Sequence, residues 1–411
     1  MPSDTAAASS FLNHISQTNL PISFSSLPTP NNQPSPKPPT PIEFIRLNVP
    51  NVIHALQTMS LHSNILALIT SSVHISYDHH IPTYYYFTSY LPNTHLHFPG
   101  LPPIKASHLP QPFLDRDDEA YHYFLNFGAC YLNSKGIIIN TLDSLEPRAI
   151  KAITDAACVP TSSTGATVPP LHCIGPLVAD AKDRAFTSPD HASLLDCLSW
   201  LNEQPSRSVV FLCFGRKGAF SAAQLKELAI GLERSDQRFL WVVRNPPPHI
   251  DTEPNLELLL PQGFLERTKT RGLVMKSWAP QADVLRHESV GGFVTHCGWN
   301  SVMEAVSLGV PMVAWPLYAE QHMNSVVLVE EMKLALPIVD TSSLSSKEED
   351  KEGLVKAEVV ERRVRELMNL EEGKAVREKS MEMKAMAEAA WNNGGSSLTT
   401  FSKLVASWKQ G

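Results

Sequence analysis

The stretch GGFVTHCGWNSVMEAVSLGVPMVAWPL, residues 291–317, contains two apolar runs with an amphipathic segment between them. GGFVTH and VPMVAWPL are short and apolar, as buried strands are, whereas residues 301–308 have the apolar spacing of a helix. A strand, a helix and a strand in this order place the two strands parallel in one sheet. This stretch therefore predicts an α/β fold.

The same alternation begins near residue 205 and continues toward the end of the chain. Further strands are predicted at SVVFLCF (208–214), RFLWVV (238–243) and GLVMKSW (272–278), and helices at 221–235, 356–369, 372–391 and 396–410. Parallel strands linked by crossover helices form a doubly wound sheet. Such a sheet binds ligands at the carboxyl ends of its strands, in the loops that lead into helices.

The first half of the chain has a less regular pattern. Strands are predicted at ILALIT (65–70), IPTYYYF (81–87) and GIIINT (136–141), and a helix at 117–127. A chain of 411 residues exceeds an ordinary single domain. We predict a first domain over residues 1–170, a linker over 171–190 where turn-forming residues are frequent, and a second domain over 191–390. The charged segment 342–353 is predicted to be a flexible insertion.

The composition is that of a globular protein, with 43% hydrophobic and 18% charged residues. The net charge of -7 leaves no basic surface for a phosphate backbone, which argues against nucleic acid as a partner. The sequence contains no run of 18 consecutive apolar residues that could span a membrane, and residues 1–30 lack the apolar core of a secretory signal. We expect a monomeric, cytoplasmic protein whose six scattered cysteines are reduced.

His296 lies where the strand of the opening stretch leads into its helix. Ser301 and Glu304 have the spacing of a capping box, which predicts that the helix begins at Ser301, and Gly309 predicts its end. Gly298 precedes this start and has no side chain to cover it. A helix start with open backbone N–H groups is an anion site, and it suits a diphosphate.

Several roles of His296 can be compared. A metal site would need more ligands than the adjacent Cys297, which points to the opposite face of a strand, and Glu304, which belongs to the helix start. A nucleophile for His296 to activate is missing, since Ser301 lies inside the cap. Two interpretations remain open, a hydrogen-bond donor to phosphate and a histidine of the core. Trp278 has a similar ambiguity between stacking on a planar base and packing in the core.

The whole run WAPQADVLRHESVGGFVTHCGWNSVMEAVSLGVPMVAWPLYAEQ, residues 278–321, resembles the signature segment of the plant family 1 UDP-glycosyltransferases of secondary metabolism. Other stretches, among them LPPIKASHLPQPFLDRDDEAYHYF and GIIINTLDSLEPRAIKAI, are similar to the flavonoid, isoflavone, chalcone and anthocyanidin glucosyltransferases of that family. The resemblance implies the GT-B fold, in which two Rossmann-like domains face each other. The first would bind the acceptor and the second the UDP-sugar, and a C-terminal helix at 391–411 would pack back on the first.

The resemblance also implies how the nucleotide is held. Trp278 would stack on the uracil, whose edge would pair with the backbone of Ala279, and Gln281 and Glu304 would bind the ribose hydroxyls. The diphosphate would be held by four residues of the loop and the helix start, namely His296, Gly298, Asn300 and Ser301.

The sugar would be held by the end of the same segment. Trp299 would lie beside the diphosphate near the sugar, and Glu320 and Gln321 would bind the sugar hydroxyls. A final glutamine is the family's usual mark of a glucose donor. The implied reaction transfers glucose from the co-substrate UDP-glucose to a small phenolic acceptor, with inversion and without a metal or another cofactor.

The chain departs from the family at the catalytic residues. The family uses a histidine in the loop after its first strand as the base, and an aspartate that orients it. The resemblance begins well inside the first domain, so we expect that strand, its loop and the first helix to be missing and the domain to be incomplete. His14 and His54 do not match by spacing, and Asp78 is not assigned as the orienting aspartate. Arg216 stands where the family usually has a serine near the phosphates.

These departures give two expectations for function. The donor half is intact, whereas the catalytic residues are not found, so transfer is expected to be impaired or lost. The alternative is a non-catalytic protein that binds a UDP-sugar, or the product of a truncated gene.

Overall fold

The computed structural model describes residues 51, 54, 95–115, 117–124, 133–157, 168–178, 191–339 and 353–410. The strands in these ranges are β1 (His95–Leu96), β2 (Ile104–Lys105), β3 (Ile137–Ile139), β4 (Leu171–Cys173), β5 (Val209–Cys213), β6 (Arg238–Val243), β7 (Gly272–Lys276), β8 (Val290–Thr295), β9 (Met312–Ala314) and β10 (Ala335–Pro337). The α-helices are α1 (Pro147–Thr154), α2 (His191–Asn202), α3 (Ala222–Ser235), α4 (Leu256–Leu259), α5 (Phe264–Thr268), α6 (Gln281–Arg286), α7 (Trp299–Leu308), α8 (Gln321–Val326), α9 (Ala357–Met368), α10 (Lys374–Trp391) and α11 (Ser396–Gln410).

A six-stranded sheet in the order β10-β9-β8-β5-β6-β7 forms the centre of the second half of the chain. Every neighbouring pair of its strands is parallel. The central strand β5 is buried along its whole length, as its unbroken apolar sequence predicts. The doubly wound parallel sheet predicted from the alternation of elements is therefore confirmed.

Helices cover both faces of this sheet and complete two apolar cores. On one face, α3 and α9 pack over Val210, Leu212 and Trp241. On the other face, α7 contributes Val302 and Val306 beside Phe211. The residues alternate between the two cores along β5, because successive side chains of a strand point to opposite faces.

The first half of the chain contributes two small sheets among the described residues. β3 pairs in parallel with β4, and β1 pairs in antiparallel with β2. The predicted strand at 136–141 is confirmed as β3, and residues 119–124 of the predicted helix at 117–127 are helical. The predicted strands at 65–70 and 81–87, and all of the predicted insertion at 342–353 except Gly353, lie outside the described residues.

The last helix contacts the strand of the predicted linker. α11 packs against β4, and the Ser397 hydroxyl donates a hydrogen bond to the carbonyl oxygen of Gly175. β4 itself lies at the start of the segment 171–190 and pairs with β3 of the first half. The domain boundaries at 170, 190 and 390 stay a prediction.

Candidate functional site

Four strands of the large sheet end at one edge and place four loops side by side. β5 leads to Gly215, β6 to Arg244, β7 to Trp278 and β8 to His296. The carboxyl ends of neighbouring parallel strands meet at the same edge, where such sheets bind ligands. This edge is the candidate site.

His296 lies between two glycines at this edge. A Cβ atom added to Gly298 would lie 2.6 Å from the His296 Nε2 atom, and one added to Gly215 would lie 2.7 Å from it. Because neither distance is tolerated, only glycine at both positions leaves the Nε2 edge uncovered. The residue is 8% exposed, and its Nδ1 atom has no hydrogen-bond partner among the described residues.

Burial lowers the pKa of His296 to about 4. The imidazole is therefore neutral at pH 7 and donates from a single nitrogen. A base for an acceptor hydroxyl works best when its pKa lies near the working pH, so this environment favours a hydrogen-bond donor over a base. Within the described ranges, no group of three or more histidine, cysteine, aspartate and glutamate side chains could hold a metal ion.

The helix after His296 begins earlier than the sequence predicts. α7 starts at Trp299 with Gly298 as its N-cap, and no side chain caps it. Cys297 adopts the left-handed conformation with φ +64, which turns the chain into the helix soon after β8 ends. The first turn of α7 therefore keeps backbone N–H groups without intrahelical partners, beside His296.

The predicted capping box is accordingly wrong. Ser301 lies inside the first turn instead of at the N-cap, and its hydroxyl accepts a hydrogen bond from the Gln281 side chain at 2.9 Å. The predicted end of the helix is confirmed, since Gly309 is its C-cap with φ +66.

A second hydrogen bond of Gln281 joins α6 to α7 more closely. Its Nε2 atom also donates to the Glu304 carboxylate at 2.8 Å. An amide beside a carboxylate suits a ligand with neighbouring hydroxyl groups, because the pair offers both a donor and acceptors. The structure thus brings together the two residues for which the resemblance implies ribose binding.

Trp278 follows β7 after a sharp turn. Ser277 has φ +61, and its backbone N–H donates to the carbonyl of Val243 at 2.8 Å. Trp278 is half-buried, whereas the core indole of Trp241 is fully buried. An indole that is covered only in part can stack on a planar ligand, and this position favours the stacking interpretation over the core one. Ala279, next in the chain, is buried.

Trp299 connects this edge of the sheet to the first half of the chain. Its Nε1 atom donates to the backbone carbonyl of Asn140, directly after β3, at 2.8 Å. The sequence did not single out Asn140, because a backbone acceptor leaves no signal in the residue type. Asn300, the next residue of α7, is exposed.

Glu320 and Gln321 lie at the start of α8 in different surroundings. Gln321 is buried, and its Oε1 atom accepts hydrogen bonds from the backbone N–H groups of Leu317 at 3.0 Å and Tyr318 at 3.1 Å. Only its Nε2 group therefore remains to donate to a ligand. Glu320 is exposed and lines a cavity. Sequence reasoning missed Asn324, whose Nδ2 atom donates to the Cys297 carbonyl at 2.9 Å and ties α8 to the loop of His296.

The cavity, of about 700 Å³, lies between α8 and the first half of the chain. Its wall is mainly apolar and includes Phe113, Phe124, Ile153 and Met323, and Trp299 and Glu320 also line it. A volume of this size with apolar walls and few polar groups suits an aromatic small molecule. Glu146 also lines it, and burial raises the pKa of that carboxyl.

A histidine of α8 contacts a histidine of the first half of the chain. The rings of His108 and His322 stack with their centroids 5.2 Å apart. Burial and the neighbouring charge of His322 lower the pKa of His108 to about 4, and burial lowers that of His322 as well. No motif could have revealed this pair, because the two residues meet only in the folded chain.

The remaining sequence candidates are placed as follows. Arg216 follows Gly215 and is exposed, and His54 is an exposed helical residue. His14 and Asp78 lie outside the described residues.

Comparisons with known proteins identify the class to which this arrangement belongs. The family model for UDP-glucoronosyl and UDP-glucosyl transferase matches residues 175–370. The phloretin 2'-O-glucosyltransferase of Pyrus communis is 45% identical, over 98% of this chain and 90% of that protein. The anthocyanidin 5,3-O-glucosyltransferase of a Rosa hybrid cultivar is 43% identical, over 97% of this chain and 86% of that protein.

Solved structures agree with this result. Apo UGT2 of Phytolacca americana superposes with a TM-score of 0.80 at 35% identity, over 98% of this chain and 90% of that one. The same protein complexed with UDP-2fluoro-glucose and pterostilbene gives a TM-score of 0.75 at 36% identity, over 90% of this chain and 82% of that one.

The chain belongs to the UDP-glucoronosyl and UDP-glucosyl transferase family. Within that family it is a plant family 1 UDP-glycosyltransferase of the flavonoid type, with the GT-B fold, so both the family prediction and the fold prediction are confirmed. In the ranges that the structure covers, no helix has the length and apolar character needed to cross a membrane.

Proposed function

We propose that this protein transfers glucose from UDP-glucose to a hydroxyl group of a small phenolic acceptor such as a flavonoid, with inversion and without a metal. The observation that carries the proposal is the uncovered Nε2 edge of His296 beside the uncapped start of α7. A neutral histidine donor and a helix start together bind a diphosphate without placing a fixed charge there.

The nucleoside would extend from this point across the sheet edge. The Gln281 and Glu304 pair would bind the ribose, Trp278 would cover the uracil, and the Ala279 backbone would pair with its edge. Gly298, Asn300 and Ser301 would contribute backbone or side-chain donors to the diphosphate. The half-exposed indole of Trp278 and the contact of Gln281 with Glu304 support this order.

The sugar would lie toward α8, between the sheet edge that carries His296 and the cavity. Glu320 would accept hydrogen bonds from sugar hydroxyls, and Gln321 would donate through its Nε2 group, since its oxygen is already bonded. The cavity beyond Glu320 and Trp299 would hold the phenolic acceptor. The first domain (1–170) would thus bind the acceptor and the second (191–390) the donor, joined by the linker at 171–190 and by the C-terminal helix at 391–411.

A second candidate function is the binding of a UDP-sugar without transfer. The observation that favours it is the lining of the cavity, in which no described residue is a histidine or an aspartate. Glu146 and Glu320 are the carboxylates that line it among the described residues. A catalytic base must lie within hydrogen-bond reach of the acceptor hydroxyl.

One experiment separates the two candidates. The purified chain is incubated with UDP-glucose and a panel of phenols that includes phloretin and an anthocyanidin, and glucosides and free UDP are measured. Glucoside formation supports the transferase and excludes the binding protein. UDP-glucose binding without glucoside or UDP release supports the binding protein, and the lack of any binding would refute both. The expectation of a monomeric, cytoplasmic protein stays a prediction.

A further inference from the structure

One face of α1 forms part of the cavity wall and begins with a carboxyl group. Glu146 is the N-cap residue of α1, but its side chain makes no capping hydrogen bond. Glu146, Ala149 and Ile153 all line the cavity. Positions three and four residues apart lie on the same face of a helix, so these three residues belong to one continuous part of the wall.

The Glu146 carboxyl has no cation beside it within the described residues. Its neighbour Glu331 is paired with Arg148, whose Nη1 atom lies 3.5 Å from the Glu331 Oε2 atom, whereas no described cation forms an ion pair with Glu146. Burial raises the pKa of the Glu146 carboxyl, the Thr141 hydroxyl partly opposes this, and the charge of Glu331 adds to it. A ligand that donates a hydrogen bond to this carboxylate would offset the cost of its burial.

Two of the other polar side chains in the wall are already bonded within the protein. The Trp299 Nε1 atom donates to the Asn140 carbonyl, and the Asn324 Nδ2 atom donates to the Cys297 carbonyl. The described lining contains two carboxylates, Glu146 and Glu320, and no lysine, arginine or histidine. The described wall therefore combines an apolar surface with negative charge.

We propose that Glu146 selects the acceptor, because its carboxylate accepts a hydrogen bond from a phenolic hydroxyl group and repels aromatic molecules that carry a carboxylate. This inference rests on the proposed function, which places the acceptor in this cavity. A phenolic hydroxyl can donate a hydrogen bond without bringing a charge into the cavity. A bound carboxylate would face Glu146 with no described cation in the lining to offset the repulsion. The acceptors are therefore neutral phenols, and phenolic acids are excluded.

Three ligands of one scaffold separate the hydroxyl contact from the effect of charge. Methyl 4-hydroxycinnamate has the hydroxyl group and no charge, methyl cinnamate lacks the hydroxyl group, and 4-hydroxycinnamate has both the hydroxyl group and a carboxylate. Their dissociation constants are measured by calorimetry in the presence of saturating UDP. We expect the wild type to bind the hydroxylated ester about tenfold more tightly than either of the other two, since one lacks the hydrogen bond and the other adds a like charge.

Glu146→Gln keeps the size of the side chain and removes its charge. We expect its affinity for methyl 4-hydroxycinnamate to fall about fivefold, its affinity for 4-hydroxycinnamate to rise, and its affinity for methyl cinnamate to stay unchanged. A general loss of structure would not change the affinities for the ester and the acid in opposite directions. The control is Asp155→Asn, which removes a charge from the exposed C-cap of the same helix and should change all three constants less than about twofold.

The other outcomes separate this inference from the proposed function. Equal affinity of the wild type for the ester and the acid, or an unchanged ratio of the two affinities in Glu146→Gln, would overturn the role of Glu146 and leave the proposed function in place. A wild type that binds UDP but none of the three aromatic ligands would overturn the cavity as the acceptor site, and this inference with it. Because burial disfavours the charged carboxyl, Glu146→Gln should not lower the thermal unfolding temperature.

Discussion

The Gln281 amide lies 2.8 Å from the Glu304 carboxylate, although the two residues are 23 positions apart in the chain. The contact joins the start of α6, after β7, to the first turns of α7, after β8. Because β7 and β8 are not neighbours in the sheet, this pair bridges the carboxyl ends of β5 and β6 that lie between them. The proposed ribose site is therefore defined by a tertiary contact.

Glu304→Gln tests that site. We expect UDP affinity to fall by about 1.5–3 kcal/mol, since the variant loses hydrogen bonds between a charged carboxylate and the ribose. The specific readout is 2'-deoxy-UDP and 3'-deoxy-UDP, whose affinities should differ less from that of UDP in the variant than in the wild type. Glu257→Gln, an exposed change on α4, is the matched control and should leave all three unchanged.

Trp278→Ala tests the stacking of the base. UDP affinity should fall by about 1–3 kcal/mol, the contribution of one aromatic platform to base binding. Trp278→Phe keeps an aromatic face and should recover most of the loss. Equal affinity of the wild type and a folded Trp278→Ala variant would rule out stacking.

Gly298→Ala tests whether the open edge of His296 matters. The backbone of Gly298 (φ -62) accepts alanine, so the new Cβ conflicts only with the His296 ring, 2.6 Å from Nε2. We expect UDP binding to weaken at least about tenfold as the ring is displaced or covered. The double variant His296→Ala with Gly298→Ala removes the clash, and should regain stability but not UDP affinity. Recovery of affinity would mean that His296 does not contact the ligand.

Acidification should destabilise the fold through His296. The pKa of His296 is lowered from its ordinary value of 6.5 to about 4 in the folded protein. At a pH between these two values the unfolded chain therefore binds more protons than the folded one. The stability from keeping this ring neutral is fully present above about pH 6.5 and is lost as the pH falls toward 4, by at most about 3 kcal/mol. Urea unfolding of the wild type and of the His296→Gln variant, near pH 7 and near about pH 4.5, measures this loss of stability. The unfolding free energy of the wild type relative to that of the variant should fall at the lower pH. The same difference between the two proteins at both pH values would contradict the neutral state of His296.

Filling the cavity should separate acceptor from donor binding. Ala149→Trp places an indole in the wall opposite α8, and should raise the KM for a phenolic acceptor about tenfold or more without changing UDP affinity. Ala149→Ser, which adds a single atom, is the control. A variant that loses UDP affinity in parallel would show that the cavity is not a separate acceptor site.

The sheet was predictable because its strands are mainly apolar, with β5 buried along its whole length, and its helices are amphipathic, so local pattern and tertiary packing agree. The start of α7 was not predictable in the same way. Ser301 and Glu304 have the spacing of a capping box, yet both bind Gln281, and the left-handed Cys297 sets the helix start. A residue pattern cannot show which of two possible partners a polar side chain takes.

Contacts between the halves of the chain were also beyond the sequence. The bond from Trp299 to the Asn140 carbonyl and the stack of His108 on His322 join residues far apart in the chain, and neither has a local motif. The signature segment could only indicate that Trp299 lies near the sugar. The cavity beside it depends on how the two halves pack.

The central claim is that His296 donates a hydrogen bond from Nε2 to the diphosphate of a UDP-sugar. Nitrogen NMR of the protein labelled in histidine, with His296→Gln to assign the signal, tests it most directly. On addition of UDP we expect the His296 Nε2 resonance to shift and its pKa to rise from about 4, since a bound anion favours the protonated ring. Saturating UDP that leaves this resonance and its titration unchanged would contradict the account.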